Sequence, residues 1–217
     1  MKKLLSVVIP VYNEAANLSW HHEKICKHLS GIGMRHEIIY VDDGSSDDSI
    51  SRIKKIASKD NATRYAKLSR NFGKEAATSA GLKLSKGDAV LIIDADGQHP
   101  IEMLPAFLKK WGDGAEVVVG VRTANNKEGV IKRYGSKLFY FILDKLTIGE
   151  IIPSSTDFRL IDRKVVDEFN SLTERNRITR GLIDWLGFNR DYVMFWAHAR
   201  HAGNATYSYK KLLKLAL

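Results

Sequence analysis

The sequence predicts an α/β domain built on a mainly parallel, Rossmann-like sheet with helices on both faces. Short apolar, β-branched runs alternate along the chain with stretches in which apolar residues recur every three or four positions, the periods of buried strands and amphipathic helices. Acidic residues directly follow two of the apolar runs. The 217 residues contain no internal repeat, low-complexity tract or linker, which indicates a single domain. Alternating strands and helices form parallel sheets, which bind ligands beyond the carboxyl ends of their strands.

The first half of the chain supplies the regular alternation. Strands are expected at 6–11, 37–41, 65–68, 89–93 and 117–120. Helices are expected at 14–29, in the segment after Asp47 where isoleucines recur at 50, 53 and 56, and at 75–84. Asp47 is expected to cap the second of these helices.

The second half of the chain is less regular. A helix is expected at 131–146, with an aromatic run inside it, and strands are expected at 157–161 and 192–196. Half a Rossmann-type sheet followed by a mixed region suits a domain that binds a nucleotide with residues 1–122 and an acceptor with residues 123–206.

The composition is that of a globular protein with an anionic partner. Apolar residues make up 44% and charged residues 27% of the chain, and the formal net charge is +9. The basic residues are dispersed, and no helix-turn-helix, zinc-finger or aromatic ribonucleoprotein pattern is present, so we expect no nucleic-acid partner. Cys26 is the one cysteine, which excludes an internal disulfide and a Cys-rich metal site. We interpret it as an inert, partly buried side chain.

Both ends of the chain bear on membrane association. The first five residues resemble the start of a signal peptide, but Pro10, Asn13 and Glu14 interrupt the apolar run, so a strand is expected there instead. No window of 18 apolar residues is present, which predicts no spanning helix. The basic, amphipathic tail 207–217 has two interpretations: an interfacial helix, or the approach to a membrane segment that follows it. We expect peripheral attachment to the cytoplasmic face of a membrane. The sequence leaves the oligomeric state open, with a homo-oligomer as one alternative.

Two acidic clusters fall at corresponding places, each directly after a predicted strand. Asp42 and Asp43 follow one strand, and Asp94 and Asp96 follow another. One such cluster is explained by turn or cap chemistry, whereas two favour a ligand site. In extended backbone, residues i and i+2 face the same side, so Asp94 and Asp96 can present two hard oxygen ligands to one divalent ion. Such an ion neutralises a pyrophosphate leaving group.

These motifs resemble glycosyltransferase family 2. The similar segments are VIPVYNE at 8–14, VDDGSSD at 41–47, GD at 87–88 followed by IDADGQHP at 93–100, and GVR at 120–122. They stand in the family's order over residues 6–122. The resemblance implies a GT-A-type fold that binds a nucleotide-diphosphate sugar with Mg²⁺ or Mn²⁺.

Within that family, the chain resembles most narrowly the polyprenyl-phosphate sugar transferases, which include bactoprenol glucosyltransferases and dolichyl-phosphate mannose synthases. The similar segments are HPIE at 99–102, TDFRLIDR at 156–163, RITRGL at 177–182 with Trp185, RHAG at 200–203, and Tyr207 with KKL at 210–212. Three positions depart from the pattern. Lys132, beside Arg133, stands where an arginine is usual before Ser136; Thr156 replaces a glycine; and 205–207 replaces Ser-Lys-Tyr.

The resemblance implies a role for each candidate residue. Pro10, Tyr12, Glu14 and either Asp42 or Asp43 hold the base and ribose of the donor, and Lys74 belongs to the third donor motif at 71–74, which is not a P-loop. Asp94, Asp96 and Gln98 hold the metal, with Asp94 also counted in the donor site. Arg122, Lys132, Arg133 and Ser136 meet the acceptor phosphate, which suits guanidinium geometry. Asp157 and Asp96 are the catalytic candidates.

Two of these side chains carry alternative interpretations. Asp157 either orients the acceptor or contacts the donor sugar, or it forms only a buried ion pair with Arg159 or a strand-end cap. His99 precedes a proline at the start of a loop, which favours a structural role over that of a general base. A polyprenyl phosphate needs no strong base, because its oxygens are largely ionised near neutral pH.

The function that follows is inverting transfer of a sugar, expected from a uridine-diphosphate donor, to undecaprenyl or dolichyl phosphate. One alternative is an inverting transferase of the same fold that glycosylates a saccharide hydroxyl and therefore needs a carboxylate base. The other is a nucleotide-binding partner protein without turnover. Tail-dependent liposome binding discriminates the first from the second, and measured turnover excludes the third. A melting shift with nucleoside diphosphates tests the donor site that all three share.

Overall fold

The computed structural model describes residues 2–123, 155–174 and 178–198. The strands of this part are β1 (Leu4–Val11), β2 (Arg35–Asp42), β3 (Thr63–Lys67), β4 (Ala89–Ile92), β5 (Val117–Arg122), β6 (Ser155–Asp162) and β7 (Arg190–Phe195). Its α-helices are α1 (Ala15–Leu29), α2 (Ser49–Ala57), α3 (Lys74–Leu84), α4 (Leu104–Gly112), α5 (Arg163–Ser171) and α6 (Thr179–Trp185). A short 3₁₀ turn, Ile101–Met103, leads into α4.

The seven strands form one mainly parallel sheet in the order β3-β2-β1-β4-β6-β5-β7. Only β6 runs against its neighbours, β4 and β5, and the other four neighbouring pairs are parallel. The carboxyl ends of six strands and the amino end of β6 therefore meet at one edge, which we call the carboxyl edge. The predicted α/β fold with a mainly parallel sheet is confirmed.

Alternate residues of the central strand β1 point into two separate cores, one on each face of the sheet. Leu5, Val7 and Ile9 belong to the core under α1 and α4, whereas Val8 belongs to the core under α3, α5 and α6. A Cβ on Gly81 of α3 would lie 2.3 Å from Cγ1 of Val8, so only glycine lets this helix approach the sheet so closely. Helices on both faces were predicted from the alternation of strands and helices along the chain, and this too is confirmed.

The expected strands are all present, with ends that differ by a few residues, and so are the three helices expected in the first half. Asp47 does not sit at the cap position itself, because α2 begins at Ser49 and the preceding residue is Asp48. Its carboxylate nevertheless accepts hydrogen bonds from the backbone N–H groups of Ser49, at 2.9 Å, and of Ala15, at 3.1 Å. Asp47 thereby ties the start of α2 to the start of α1.

Three helices of the structure, α4, α5 and α6, are absent from the sequence-based expectation. Pro105 marks the start of α4 in the sequence, since proline is favoured in the first turn of a helix. Asp162 marks the start of α5, because its side chain accepts a hydrogen bond from the backbone N–H of Lys164 at 2.9 Å. The helix expected at 131–146 and the tail 207–217 lie outside the described residues. Among the helices that are described, none has the length and apolar character needed to cross a bilayer.

Candidate active site at the carboxyl edge of the sheet

The turn after β1 and the loop after β2 are joined by hydrogen bonds. Asn13, which has a positive φ of 55°, accepts at Oδ1 from the backbone N–H of Ser46 at 2.8 Å. Its own N–H donates to Oγ of Ser45 at 3.0 Å, and the N–H of Glu14 donates to Oγ of Ser49 at 2.9 Å. The two segments predicted to hold the donor nucleotide thus form one continuous surface, into which the chain runs from the buried Pro10.

The paired carboxylates at the end of β2 have different environments. Asp43 accepts hydrogen bonds from the backbone N–H groups of Phe72, at 2.8 Å, and Gly73, at 2.9 Å, and so fixes the loop before α3. Asp42 is fully buried, and its Oδ1 accepts from the N–H of Ser45 at 3.3 Å. Within the described residues, the other oxygen of Asp42 has no hydrogen-bond partner. A buried acceptor of this kind is costly unless something donates to it, so Asp42 is the better of the two predicted ligand groups.

Lys74, the first residue of α3, joins two acidic side chains of the carboxyl edge. Its Nζ lies 2.6 Å from Oδ1 of Asp94 and 2.7 Å from Oδ2 of Asp157. Burial acts to lower the pKa of Lys74, but the two carboxylates outweigh it and raise that pKa. Burial acts to raise the pKa of Asp94, but Lys74, together with His99 and His21, outweighs it and that pKa is lowered. Lys74 and Asp94 are therefore both charged. Residues from three elements, α3, the loop after β4 and β6, meet at this point.

Asp157, near the amino end of β6, is held by a second cation. Nε of Arg180 lies 3.1 Å from Oδ1 of Asp157, and Nη1 of Arg180 donates to the carbonyl of Ser155 at 3.3 Å. The alternative ion pair between Asp157 and Arg159 is wrong, because the buried Arg159 guanidinium instead binds both oxygens of Asp184, at 2.8 and 3.2 Å. Arg180 was not among the predicted site residues, although it lies in one of the segments that resemble the family.

The acidic triplet follows β4, but its backbone is not extended as expected. β4 ends at Ile92, and residues 95–96 form a turn in which Oδ1 of Asp96 accepts from the N–H of Gln98 at 3.0 Å. The turn needs a glycine next, since Gly97 has φ of 75° and a Cβ there would lie 2.5 Å from the Trp20 ring. The expectation that an extended backbone places Asp94 and Asp96 on the same side was therefore wrong. Even so, the Asp94, Asp96 and Gln98 side chains all remain partly exposed, whereas the residues between them are buried.

His99 has a packing role. Its ring stacks on Phe158 with centroids 5.2 Å apart, and Nδ1 accepts a hydrogen bond from the backbone N–H of Asp94 at 3.2 Å. Burial lowers the pKa of His99 despite the opposing charge of Asp94. These contacts support the structural interpretation of His99 over that of a general base.

The predicted acceptor residues are only partly described. Arg122 is exposed at the carboxyl end of β5, where Val121 pairs with Ser155 at the start of β6. Arg122 therefore stands on the same edge as Asp157. Lys132, Arg133 and Ser136 lie outside the described residues, so their role stays a prediction.

Comparison with known proteins decides the family. Residues 6–169 match the sequence model of "Glycosyl transferase family 2". The chain belongs to glycosyltransferase family 2. It is 38% identical over 213 residues to an uncharacterized glycosyltransferase of Synechocystis sp., covering 98% of this chain and 67% of that protein. It is 35% identical over 213 residues to a bactoprenol glucosyl transferase of Shigella phage SfV, covering 98% of this chain and 69% of that protein.

Solved structures place this family 2 glycosyltransferase among proteins of the GT-A fold. Glucosyl-3-phosphoglycerate synthase of Mycobacterium tuberculosis, determined with Mn²⁺, uridine diphosphate and phosphoglyceric acid, superposes with a TM-score of 0.61 at 20% identity, covering 99% of this chain and 74% of that one. A mannosyltransferase of Pyrobaculum calidifontis, determined with GDP-mannose and Mn²⁺, gives 0.59 at 18% identity, covering 89% and 55%. The chain spans 65–70% of the length of the curated relatives it matches.

The carboxyl edge of this glycosyltransferase fits a hard divalent cation. Asp94 and Asp96 supply carboxylate oxygens, the ligands such ions prefer, and both face partly into solvent. The Lys74 ammonium already lies against Asp94, which shows that the edge accommodates positive charge at that point.

Proposed function

We propose that this glycosyltransferase moves a sugar, with inversion at the anomeric carbon, from a uridine-diphosphate sugar to a polyprenyl phosphate at a membrane surface. The observation that carries the proposal is the junction of Asp94, Lys74 and Asp157 beside the donor loops. The acceptor class is supported by the bactoprenol glucosyl transferases that the chain matches over 98% of its length. Peripheral attachment to the cytoplasmic face is part of the same proposal.

The donor nucleotide lies across the loops that follow β1 and β2. The unpartnered oxygen of Asp42 accepts a hydrogen bond from the base or from a ribose hydroxyl. Tyr12 and Glu14 line the adjoining turn, whose shape is fixed by the hydrogen bonds of Asn13. Asp43 contributes indirectly, because it positions the loop that leads to Lys74.

Asp94, Asp96 and Gln98 would hold a divalent ion, Mg²⁺ or Mn²⁺. When bound, the ion neutralises the negative charge that develops on the leaving diphosphate. Lys74 stays close to Asp94 and Asp157 and keeps both carboxylates oriented toward the donor.

In the transfer step, an oxygen of the acceptor phosphate forms a bond to the anomeric carbon. The bond between that carbon and the donor's β-phosphate oxygen breaks, and its electron pair leaves with the nucleoside diphosphate. Arg122 binds the acceptor phosphate from the end of β5, together with Lys132, Arg133 and Ser136. Asp157 orients the reacting groups.

A phosphate acceptor suits the surroundings of Asp157 better than a hydroxyl acceptor does. One oxygen of Asp157 contacts Lys74 at 2.7 Å and the other contacts Arg180 at 3.1 Å. Both oxygens are engaged with cations, so neither is open to take the proton of a saccharide hydroxyl. The oxygens of an acceptor phosphate are already largely ionised near neutral pH, so this acceptor needs no such base.

The test is a donor and acceptor panel. The protein is incubated with nucleotide sugars, Mn²⁺ and either undecaprenyl phosphate or soluble saccharides, and the products are identified by mass. Asp94→Asn serves as the site variant, and Asp167→Asn, on the exposed face of α5, serves as the matched control. A glycosylated lipid phosphate that Asp94→Asn does not make supports the proposal. Glycosylation of a saccharide alone would establish the hydroxyl-acceptor alternative instead.

A further inference from the structure

A second group of potential metal ligands lies between α1 and α2. His22 and Cys26 are one helical turn apart on α1, and Asp60 lies in the connection from α2 to β3. Nε2 of His22 is 3.4 Å from Sγ of Cys26 and 3.8 Å from Oδ2 of Asp60. One ligand atom from each residue lies within 4.8 Å of the other two. In a tetrahedral zinc site, the bond lengths place nitrogen and sulfur ligands about 3.5 Å apart and nitrogen and oxygen ligands about 3.4 Å apart.

Hydrogen bonds to neighbouring residues already orient the side chains of His22 and Asp60 toward the other ligands. Nδ1 of His22 lies 3.2 Å from the hydroxyl of the buried Tyr40, which leaves Nε2 to face the thiol. The carboxylate of Asp60 accepts from the backbone N–H of Ala62 at 2.9 Å and from Oγ1 of Thr63 at 2.5 Å. Partners of this kind fix the ring and carboxylate orientation of metal ligands in proteins.

We propose that His22, Cys26 and Asp60 bind Zn²⁺ or a similar borderline transition metal, at a site separate from the carboxyl edge. The ligand types decide the class of ion, because thiolate and imidazole favour zinc, whereas the all-oxygen set of Asp94 and Asp96 favours Mg²⁺ or Mn²⁺. A thiolate and a carboxylate together neutralise a divalent cation. The protein then binds two ions of different chemistry at different places.

The protonation of the ligands agrees with this site. Burial lowers the pKa of His22, which keeps its imidazole neutral and able to bind a metal. Burial also raises the pKa of the Cys26 thiol, with a further contribution from Asp60. Without metal the thiol is therefore protonated and slow to react, as the sequence led us to expect, and a bound metal displaces its proton.

His22 and Asp60 also line a groove of about 770 Å³ between α1 and α2, which can supply a fourth ligand from solvent. Arg52, Lys55 and Lys59 also line that groove, so water or a small anion is the expected fourth ligand. A bound ion links α1 to the segment after α2. Because α1 starts directly after the turn that follows β1, this link also restrains that turn.

Cys26 is the only cysteine of the chain, so its reactivity reports on this site alone. The tag-free chain is stripped of metal and alkylated with iodoacetamide, with and without one equivalent of Zn²⁺, and the modified fraction is followed by mass. In parallel, Co²⁺ is added and the thiolate-to-metal charge-transfer absorption is recorded. The site variant is His22→Gln. The matched controls are His28→Gln, on the same helix, where Nδ1 contacts the carbonyl of Lys24, and Asp94→Asn.

We expect one equivalent of Zn²⁺ to slow alkylation of Cys26 at least tenfold and Co²⁺ to give the thiolate band. Both effects should be lost in His22→Gln and retained in His28→Gln and Asp94→Asn, and millimolar Mg²⁺ should not protect. Unchanged alkylation of the native chain in Zn²⁺ with no thiolate band would overturn the proposal. So would protection that persists in His22→Gln, since the thiol would then bind metal without the cluster.

Discussion

His21 offers a pH-dependent test of the packing behind the acidic triplet. It is a fully buried residue of α1, and in the described part of the chain neither ring nitrogen has a hydrogen-bond partner. Burial lowers the pKa of His21 to about 4, against the opposing charge of Asp96, while the charges of His99 and Lys24 act in the same direction as burial. Protonation of this ring therefore favours the unfolded chain.

The size of the effect follows from the two pKa values. In the unfolded chain His21 has a pKa of 6.5, compared with about 4 when folded. Because the folded pKa is the lower one, the stabilisation is fully present above pH 6.5 and is lost as pH falls toward 4. At about 1.4 kcal/mol per pH unit, the whole difference is about 3 kcal/mol, and about 2 kcal/mol of it is lost between pH 7 and pH 5.

The assay compares the native chain with His21→Leu, which removes the titrating group at similar volume. Urea unfolding is followed by tryptophan fluorescence at pH 7 and at pH 5. The native chain should lose about 2 kcal/mol more unfolding free energy than the variant between these two conditions. Other titrating groups act in both proteins and cancel in the comparison. An equal loss in both proteins would refute the reasoning.

Three further predictions concern single contacts of the site and its supports. Lys74→Met should lower sugar transfer at least tenfold in a steady-state assay, because it removes the charge that joins Asp94 to the neighbouring carboxylate; unchanged transfer would exclude that role. Arg159→Met should cost about 2–4 kcal/mol in urea unfolding, since it removes the buried guanidinium that pairs with the partly exposed Asp184; a loss below about 1 kcal/mol would contradict it. Gly44→Ala should lower the urea midpoint, because φ is +68° and a Cβ would lie 2.4 Å from neighbouring backbone; an unchanged midpoint would show that the loop relaxes freely.

The sheet could be predicted from the sequence because its strands are short, apolar and bounded by turn residues. The central strand is buried over all but its first residue, and burial on both faces produces the continuous run that marks a parallel strand. The helices α4 and α5 were missed because each spans only nine residues, which is too short to show a clear helical period, although Pro105 and Asp162 mark their starts.

The site could be predicted only as far as its local motifs reach. The acidic clusters after β2 and β4 directly follow their strands in the sequence, and this position at the strand ends identified them. The ion pairs that assemble the site join residues far apart in the chain: Lys74 to Asp157, and Asp157 to Arg180. Such pairs depend on the reversed direction of β6, which no local pattern encodes. The burial of Asp42 beside the loop held by Asp43 likewise depends on packing between segments.

The central claim is that the carboxyl edge is a metal-dependent nucleotide site. Titration calorimetry of uridine diphosphate, with Mn²⁺ and with chelator, tests it directly in the native chain, Asp94→Asn and the control Asp167→Asn. We expect binding by the native chain and the control only when Mn²⁺ is present, and at least tenfold weaker binding by Asp94→Asn, which corresponds to about 1.4 kcal/mol. Equal affinity of Asp94→Asn and the native chain in Mn²⁺, or undiminished binding in chelator, would contradict the account.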